Sequence, residues 1–305
     1  MNDEPRPRDL VDHVLRSCPM LERSAWYLKY RPGDENDSRL CTKFGGKPFR
    51  RDNFKWPFCS KCRHRKAFVG QINIATVPPL FQEHIKMTSG LFQLFYCRKC
   101  EPDYTFEDIY IIDKSELLPS LESLVKETVG KQKGYFQKEL PPKKRCSPLP
   151  TKHRKLDEEY NESTNRPSEF VEKVVKGWTE IKELPTYEEV GDEKSDIANE
   201  VKKKANLSEE DYQLFVGQLN DDDDFENDCF MTLGKKSVKS DTKLGGWFHW
   251  LDWSVYLHCP DCDVMMETTF LQISEVEEYW GCASNWRNAF VMLCPRCNRP
   301  GLLRV

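Results

Sequence analysis

Four short apolar runs, arranged as two pairs far apart in the chain, dominate the hydrophobic pattern. The first pair is AFVGQINI, around Gln71, and LFQLFYC, which ends at Cys97. The second pair is TTFLQIS, around Gln272, and AFVMLC, which ends at Cys294. All four runs are rich in β-branched and aromatic residues, a composition typical of strands. We expect each pair to form an antiparallel β hairpin.

The two pairs belong to a longer phrase that the chain contains twice. A first group of residues recurs at a constant offset of 200, with Lys43, Gly45, Gly46, Cys59 and Cys62 matched by Lys243, Gly245, Gly246, Cys259 and Cys262. The offset is 201 between Gln71 and Gln272. It is 197 between the second cysteine pairs, so that Cys97 matches Cys294 and Cys100 matches Cys297. Ordered elements at a nearly constant spacing indicate an internal repeat. We therefore predict two copies of one unit, at about 41–112 and 241–305.

The predicted hairpins bring the cysteine pairs together. One pair precedes the first strand of each unit, and the other comes at the end of the second strand. These two points are neighbours in an antiparallel hairpin, so four thiols meet there. Four thiolates in a tetrahedral array are the usual ligands of structural zinc, with Zn–S near ~2.3 Å. We predict two structural zinc ions, one held by Cys59, Cys62, Cys97 and Cys100 and one by Cys259, Cys262, Cys294 and Cys297.

Other interpretations of these cysteines stay open at this stage. A single C-x-x-C can be a redox pair or two buried thiols, although here each pair has a partner pair at the matching place. Disulfides would need an oxidising compartment. If the halves exchange strands, Cys59 and Cys62 instead join Cys294 and Cys297. The other cysteines have no repeat partner in cysteine and are expected in the core or in loops: Cys18, Cys41, Cys146, Cys229 and Cys282.

Periodic segments also occur outside the two units. Residues 8–22 carry apolar side chains on one helical face, and we expect this helix to pack on the first unit. AWYLKY, near Trp26, predicts a strand, and the segment from Glu169 alternates apolar and polar positions and should rejoin the core. The segment from Leu207 predicts a short helix with Ser208 as its N-cap.

Residues 131–167 break this pattern. They are rich in Pro, Lys, Ser and Glu and nearly without aliphatic residues, which predicts a flexible insertion. A basic cluster at 143–155 is either a nuclear-import signal or a solvated charged loop.

The predicted fold class is α+β, with duplicated antiparallel β-rich units that each hold a four-cysteine zinc site, flanking helices and one flexible insertion. The N-terminal helix and the first zinc-bearing β unit occupy 1–130, and the flexible insertion follows at 131–167. A connecting segment and the second zinc-bearing β unit occupy 168–305. We expect both units to pack as one domain.

Composition narrows the class of protein. Of the 305 residues, 38% are apolar and 31% are charged, which predicts a folded core with long solvated stretches. The net charge of −4 gives no global signal for nucleic acid or membrane. No apolar run approaches the ~20 residues of a membrane helix, and the first residues do not resemble a secretion signal. We expect an intracellular protein, in the cytoplasm, with the cluster at 143–155 leaving nuclear entry open.

The two copies differ in charge around their first cysteine pair. Residues 43–66 contain nine Lys or Arg and one acid, a balance of +8, whereas 243–266 contain one Lys and three Asp, a balance of −2. Aromatic residues interleave with the basic ones: Phe44, Phe49, Phe54, Trp56 and Phe58. Such a segment suits an acidic protein partner, the chain's own acidic stretch at 186–228, or plain solvent. It also suits single-stranded nucleic acid, through phosphate pairing and base stacking.

Familiar catalytic motifs are missing from the sequence. It contains no H-E-x-x-H, no zinc-deaminase pattern, no G-x-S-x-G elbow, no P-loop and no G-x-G-x-x-G. His64 and His258 lie near the cysteine pairs and are expected either to contact the metal ligands without binding the ion or to lie at the surface. We therefore expect no catalytic residues and no cofactor besides the two zinc ions.

One set of motifs carries a family resemblance. The phrase GG-x-P, WP, C-x-x-C, F-x-x-QIN and GLFQLFY is supplied by Gly45, Gly46, Pro48, Trp56, Pro57, Cys59, Cys62, Phe68, Gln71, Ile72, Asn73 and Gly90 to Tyr96. Later blocks are ELPTYEEV from Glu183, KLGGWFHW from Lys243, and the pair Trp280 and Gly281. These motifs resemble the YwqG-like family, proteins of undefined function found in bacteria and eukaryotes. The resemblance covers most of the chain apart from 131–167.

The YwqG-like resemblance implies a single α+β domain with a duplicated β-rich core, and it supplies no activity. The sequence departs from the family by completing both cysteine quartets and by having Phe248 where a proline is common. The order K-x-G-G, C-x-x-C, F-x-x-Q and a late apolar strand ending in cysteines is also similar, more loosely, to the family of programmed cell death protein two. Those proteins act as dedicated chaperones of a ribosomal protein. The resemblance implies that a sheet braced by zinc shields a basic client protein, which would bind to the acidic segment of this chain.

Together these features predict a non-enzymatic zinc-binding protein that acts as a protein-interaction or chaperone-like adaptor. The alternative is RNA or single-stranded nucleic-acid binding through 43–66. A protein partner is expected, nucleic acid is the second choice, and no membrane is involved. The sequence leaves the oligomeric state open.

Overall fold

The structure is a computed structural model that describes residues 7–34, 37–51, 54–97, 99–100, 104–106, 109–113, 115, 117, 172–191, 196–219, 238, 241–250, 254–274 and 288–304. Several sequence predictions concern residues outside these ranges: the insertion at 131–167 with its basic cluster, Cys146, Cys229, Cys282, Trp280 and Gly281. The domain boundaries at 130 and 167 therefore stay predictions.

The described residues form one antiparallel sheet. Its strands are β1 Arg23–Pro32, β2 Lys43–Phe44, β3 Ala67–Asn73, β4 Leu91–Tyr96, β5 Tyr104–Thr105, β6 Ile109–Ile112, β7 Lys173–Glu183, β8 Lys243–Gly245, β9 Thr268–Ser274, β10 Asn288–Leu293 and β11 Pro300–Arg304. They are ordered β5-β11-β10-β9-β8-β1-β7-β2-β3-β4-β6. The helices are α1 Pro7–Ser17, α2 Pro79–Ile85, α3 Tyr187–Val190, α4 Asp196–Ala205 and α5 Glu209–Gly217. Among the described helices, none has the length and apolar character that crossing a bilayer requires.

The long strands β1 and β7 pair at the centre of the sheet. Strand β7 continues into the arm β2-β3-β4-β6, and β1 continues into the arm β8-β9-β10-β11. Each arm contains one of the predicted hairpins, β3–β4 and β9–β10, and both are antiparallel. The hairpins expected from the apolar runs are confirmed, as are the strands expected near Trp26 and after Glu169.

The sheet curls until it is nearly a barrel. Strand β5 pairs with β11 at one edge, and β6, which follows β5 closely in the chain, pairs with β4 at the other edge. The inner faces of the two arms meet in one core, where the ring centroids of Phe92 and Phe270 lie 4.4 Å apart. The two arms therefore share a single hydrophobic interior.

Helices α1, α4 and α5 form a second apolar cluster beside the sheet. Val14 of α1, Val201 of α4 and Phe215 of α5 are all buried within it. The buried face of α1 therefore contacts helices from the later half of the chain, whereas the sequence suggested the first unit. The predicted cap is confirmed, because the Ser208 hydroxyl accepts a hydrogen bond from the backbone N–H of Asp211 at 3.0 Å.

Helix α2 lies in the connection between β3 and β4. Pro78 is its N-cap and Pro79 its first residue, and the chain leaves it at Lys86 in the left-handed conformation. Its buried Phe81 packs against Trp26 of β1 and Phe270 of β9, with ring centroids 5.4 and 5.7 Å away. A helix from the first half thus helps to fill the shared core.

Candidate metal centres

A Lys-x-Gly-Gly turn begins the repeated phrase in both arms. Lys43 lies opposite Gln71 in the sheet, and Lys243 lies opposite Gln272. The four glycines that follow, Gly45, Gly46, Gly245 and Gly246, have φ between 64° and 71°. This region is unfavourable for residues with a Cβ, which explains the glycine pairs as turn elements.

Each of these lysines pairs with a carboxylate from the β7 segment. The Lys43 ammonium lies 2.7 Å from Glu172, and the Lys243 ammonium lies 2.6 Å from Glu183. The second pair is completely buried, and its carboxylate also accepts hydrogen bonds from the Trp247 backbone N–H and the Tyr27 hydroxyl. These ion pairs fix the start of each phrase against the central strands.

A buried glutamine then holds each phrase against its own hairpin. The Gln71 side-chain oxygen accepts from the Phe49 backbone N–H at 2.8 Å, and the Gln272 oxygen accepts from the His249 N–H, also at 2.8 Å. Phe49 packs with Leu91 on the face of β4 that points away from the shared core. The segment between the glycines and the cysteines therefore crosses the outer face of the hairpin and delivers the cysteines to its end.

The first C-x-x-C forms a tight knuckle. The Cys59 N–H donates to the His64 carbonyl at 2.8 Å, and the Arg63 N–H donates to the Cys59 carbonyl at 2.9 Å. Arg63 has a φ of 62°, so the chain turns back sharply after Cys62. Both sulfurs of the pair are thereby directed toward the end of the β3–β4 hairpin, where Cys97 and Cys100 lie.

The second unit repeats this knuckle with different side chains. The Cys259 N–H donates to the Val264 carbonyl at 2.9 Å, the Asp263 N–H donates to the Cys259 carbonyl at 2.8 Å, and Asp263 has a φ of 56°. A similar turn follows Cys294, whose carbonyl accepts from the Asn298 N–H at 2.9 Å.

The eight cysteines gather into two groups that could each hold a metal ion. One consists of Cys59, Cys62, Cys97 and Cys100, the other of Cys259, Cys262, Cys294 and Cys297, and within each group all sulfurs lie within 4.8 Å of one another. The arrangement with exchanged halves is therefore wrong. The Cys62–Cys97 and Cys262–Cys294 sulfur distances are both 3.4 Å. The edge of a zinc tetrahedron with ~2.3 Å bonds is about 3.8 Å, so the groups fit such an ion.

Backbone N–H groups favour negative charge on one sulfur of each group. Burial raises the pKa of Cys59, but hydrogen bonds from the N–H groups of Cys62 and Lys61, together with neighbouring thiols, bring it down to about 7. Burial likewise raises the pKa of Cys294, but the N–H groups of Cys297 and Arg296, with neighbouring thiols, lower it to about 7. One thiolate per group is thus accessible near neutral pH.

The remaining sulfurs ionise less easily because charge accumulates in each group. Burial, followed by the neighbouring thiols, raises the pKa of Cys100 to about 11. At Cys297 the Arg299 N–H lowers the pKa, but the Cys294 thiol, burial and the other sulfurs outweigh it and raise the pKa to about 12. A bound cation favours the deprotonated form of coordinating thiols, so a metal ion would stabilise charge that these groups otherwise resist.

The surroundings of the first group are basic at the surface and aromatic beneath. Of the nine Lys and Arg residues between 43 and 66, Lys43 and Lys66 are buried and the other seven are exposed. Trp56 lies under two of them, with the Arg65 guanidinium 3.6 Å and the Arg50 guanidinium 5.1 Å from its ring centroid. The Trp56 indole N–H donates to the Lys66 carbonyl at 2.7 Å, which ties the segment to the knuckle.

The surroundings of the second group carry both signs of charge, with Asp261 and Asp263 at the knuckle and Arg296 and Arg299 in the other cysteine turn. Asp261 pairs with Arg299 at 2.8 Å, which links the two cysteine turns of that group. His258 is exposed and its ring contacts the Asp263 backbone, as His64 contacts the Cys62 carbonyl. Phe248, the departure from the family pattern, is buried against Phe290, with ring centroids 4.6 Å apart.

The carboxylates that position these centres were not found as site residues from the sequence. Glu183 holds Lys243, and the buried Glu189 accepts hydrogen bonds from the Trp250 indole and the Tyr256 hydroxyl beside the second group. Burial raises the pKa of Glu189, and the hydrogen bonds from Tyr256 and Trp250 only partly offset this. Both acids belong to the ELPTYEEV block, and two acids among apolar residues were the signal that could have revealed them.

Comparison with known proteins places this architecture in a family. Residues 42–283 match the family described as "Domain of unknown function (DUF1963)", a range that begins just before β2 and ends before Cys294 and Cys297. A search of curated proteins found no match. The family match is consistent with the resemblance to YwqG-like proteins. The match spans well over half of the chain, and the protein belongs to the DUF1963 family.

Proposed function

We propose that the protein holds two structural zinc ions, one in each four-cysteine group, and acts as a non-enzymatic, chaperone-like adaptor for another protein. The observation that carries this proposal is the gathering of eight cysteines into two separate four-sulfur groups. Four thiolates complete a tetrahedral zinc shell, whereas catalytic zinc keeps one position open. The ions would therefore brace the hairpin ends and carry out no reaction.

The two halves of the protein are, in this proposal, copies of one β unit. Three corresponding contacts support a duplication: the Lys-to-carboxylate pairs, the glutamine that holds the crossing segment, and the knuckle hydrogen bonds. After a duplication, selection would keep the cysteines and the contacts that position them, while the surface side chains of the two knuckles could diverge. The difference in surface charge between the two knuckles fits that pattern.

Metal content tests the first part of the proposal. Elemental analysis of the purified chain should find two zinc ions, and Cys59→Ser and Cys259→Ser should each remove one, because Ser is a poor ligand for zinc in such sites. Cys41→Ser is the matched control, since Cys41 lies outside both groups, and it should keep both ions. A chain without bound transition metal, or with equal losses in the control, would contradict the zinc assignment.

Partner capture tests the adaptor role. Affinity purification from the native cell should recover one or a few proteins in amounts that nuclease treatment does not change. Recovery of nucleic acid alone would support the alternative, binding of RNA through 43–66, for which the seven exposed basic residues of that segment are the favourable observation. RNA binding would fall steeply with salt and disappear when Arg50, Arg51, Arg63 and Arg65 are changed to Glu. The cytoplasmic location stays a prediction.

A further inference from the structure

The two knuckles have the same backbone and opposite surface chemistry. The first carries Phe58, Lys61, Arg63 and Arg65 where the second carries His258, Asp261, Asp263 and Met265. The exposed side chains of Lys55, Phe58, Lys61, Arg63 and Arg65 are called here the basic knuckle surface.

The metal site alone does not explain this surface. A zinc ion with four thiolates has a formal charge of −2, which nearby cations would offset. The second four-cysteine group has the same sulfurs and knuckle hydrogen bonds, with Asp261 and Asp263 at the knuckle positions and its cations, Arg296 and Arg299, only in the other cysteine turn. Since that knuckle forms with acids at these positions, basic residues are not required to build one.

Three cations of the basic knuckle surface are placed to meet a partner. Among the described residues, Lys55, Lys61 and Arg63 make no ion pair. Arg65 is held over the Trp56 ring, which reduces the side-chain entropy that a contact with a carboxylate would cost. Phe58 is 48% exposed and adds an apolar contact at the centre of these charges.

The aromatic residues favour a protein over nucleic acid as that partner. Binding of single strands uses several aromatic faces on which successive bases stack. Phe44 and Phe49 are buried, and one face of Trp56 is covered by Arg65. Phe58 alone of the five interleaved aromatics is largely exposed, which suits one apolar side chain better than a run of bases.

Three described acids of the chain's own acidic stretch are engaged elsewhere. Glu189 bonds Trp250 and Tyr256, Glu200 pairs with Lys204, and Glu209 pairs with Lys202. These contacts hold that part of 186–228 in the helical cluster or against the second unit. The first knuckle therefore fits carboxylates from another molecule.

We propose that the basic knuckle surface docks an acidic segment of a partner protein, with carboxylates beside Lys61 and Arg63 and an apolar side chain on Phe58. This inference deepens the adaptor function proposed above and rests on it. The second knuckle has no part in this contact, because Asp261 and Asp263 replace the two cations that would bind the carboxylates.

A residue swap between the knuckles provides the test. The variant Lys61→Asp with Arg63→Asp installs the residues that the second knuckle carries at these places, and Asp tolerates the positive φ of position 63 well. The variant Lys29→Asp with Lys203→Asp changes the net charge equally, at exposed positions on β1 and α4. The probes are a labelled glutamate-rich peptide with one leucine and a labelled U-rich RNA of equal length.

The peptide should bind the wild-type protein, and salt should weaken binding through screening. The knuckle swap should lower affinity at least about tenfold, since attraction becomes repulsion at two positions, while the control stays within about twofold. Phe58→His should weaken binding of the leucine-containing peptide more than that of a peptide with Ala in its place. The knuckle swap and its charge control should both retain two zinc ions.

Three results with these probes would overturn the inference. One is equal peptide affinity in the swap and the control, and another is preferential binding of the RNA probe. The third is peptide binding that strengthens tenfold or more when Asp221–Asp224 are replaced by Ser, because the chain's own acids would then occupy the surface. If the swap still captures the cellular partner of the wild type, the adaptor role stands and this surface is wrong. If the wild type captures no protein, the adaptor role itself fails.

Discussion

Replacing Lys243 by Met should destabilise the protein far more than the same change at Lys43. The Lys243 ammonium and the Glu183 carboxylate are both fully buried, and the two oxygens of Glu183 lie 2.6 and 2.7 Å from the ammonium. Without the lysine, a carboxylate stays in the interior, where the donors it keeps among the described residues are the Trp247 N–H and the Tyr27 hydroxyl. The two lysines thus form a matched pair of sites with different burial.

The expected magnitudes follow from that burial. Removing one member of a buried ion pair costs about 3–5 kcal/mol, since an uncompensated charge remains inside. Lys43 pairs with Glu172, whose side chain is 26% exposed and can turn toward water, so its loss should cost about 1 kcal/mol. At about 2 °C per kcal/mol for a chain of this size, Lys243→Met should lower the Tm by about 6–10 °C and Lys43→Met by about 2 °C.

Calorimetry in excess zinc measures both shifts with metal occupancy held constant. A further variant that combines Lys243→Met with Glu183→Gln should recover more than half of the loss, because the amide oxygen still accepts hydrogen bonds and no charge is left buried. Equal destabilisation by the two single changes would refute the reasoning. So would a double variant that is no more stable than Lys243→Met alone.

Three further predictions concern the turn, the buried acid and metal exchange. Gly246→Ala should lower the free energy of unfolding by about 3 kcal/mol or more, because the new Cβ would lie 2.2 Å from a carboxylate oxygen of Glu183 and the residue has a φ of 71°. Gly177→Ala is the control and should be near neutral, since a Cβ there meets nothing within 4 Å. Chemical denaturation measures both changes. Burial raises the pKa of Glu189 in the folded protein. The protonated carboxyl therefore contributes fully to the free energy of unfolding below the ordinary pKa near ~4.3, and this contribution is lost as pH rises through the higher pKa of the folded state. The stability of wild type relative to Glu189→Gln should therefore fall with rising pH, and a constant difference would contradict this. Because Cys297 is exposed and Cys100 is partly buried, a chelator should remove the second metal first; Cys297→Ser should abolish the fast phase and Cys100→Ser the slow one.

The hairpins and the sulfur groups could be predicted because each depends on contacts that are close in the sequence. The position of Cys59 before one apolar run and of Cys97 after the next determines that they meet once the two runs pair. The repeat then assigned the second group without new information. The turns at the two glycine pairs could be predicted in the same way, because a backbone with positive φ strongly favours glycine.

The contacts between distant parts of the chain could not be predicted in the same way. An alternating pattern shows that β7 has a buried face, but it does not specify β1 as its neighbour, more than a hundred residues earlier. The same holds for the packing of Phe92 on Phe270 and of α1 on α4. Many other apolar surfaces of the chain could have covered these side chains, so the sequence does not specify the partner. Glu183 was missed as a site residue for the same reason, since its role depends on Lys243 in another arm.

The central position of β1 has a consequence for synthesis. Its two neighbours are β7 and β8, and β7 begins at Lys173, so β1 leaves the ribosome long before either of them. At translation rates of about 5–20 residues per second, the edge of β1 that faces β7 waits roughly 7–28 s and the edge that faces β8 roughly 11–42 s for a partner. The first four-cysteine group closes within residues 59–100 and can form during that interval. Nascent chains can therefore present the first hairpin, with its four cysteines gathered, beside an open strand, which makes them candidates for cotranslational protection against aggregation.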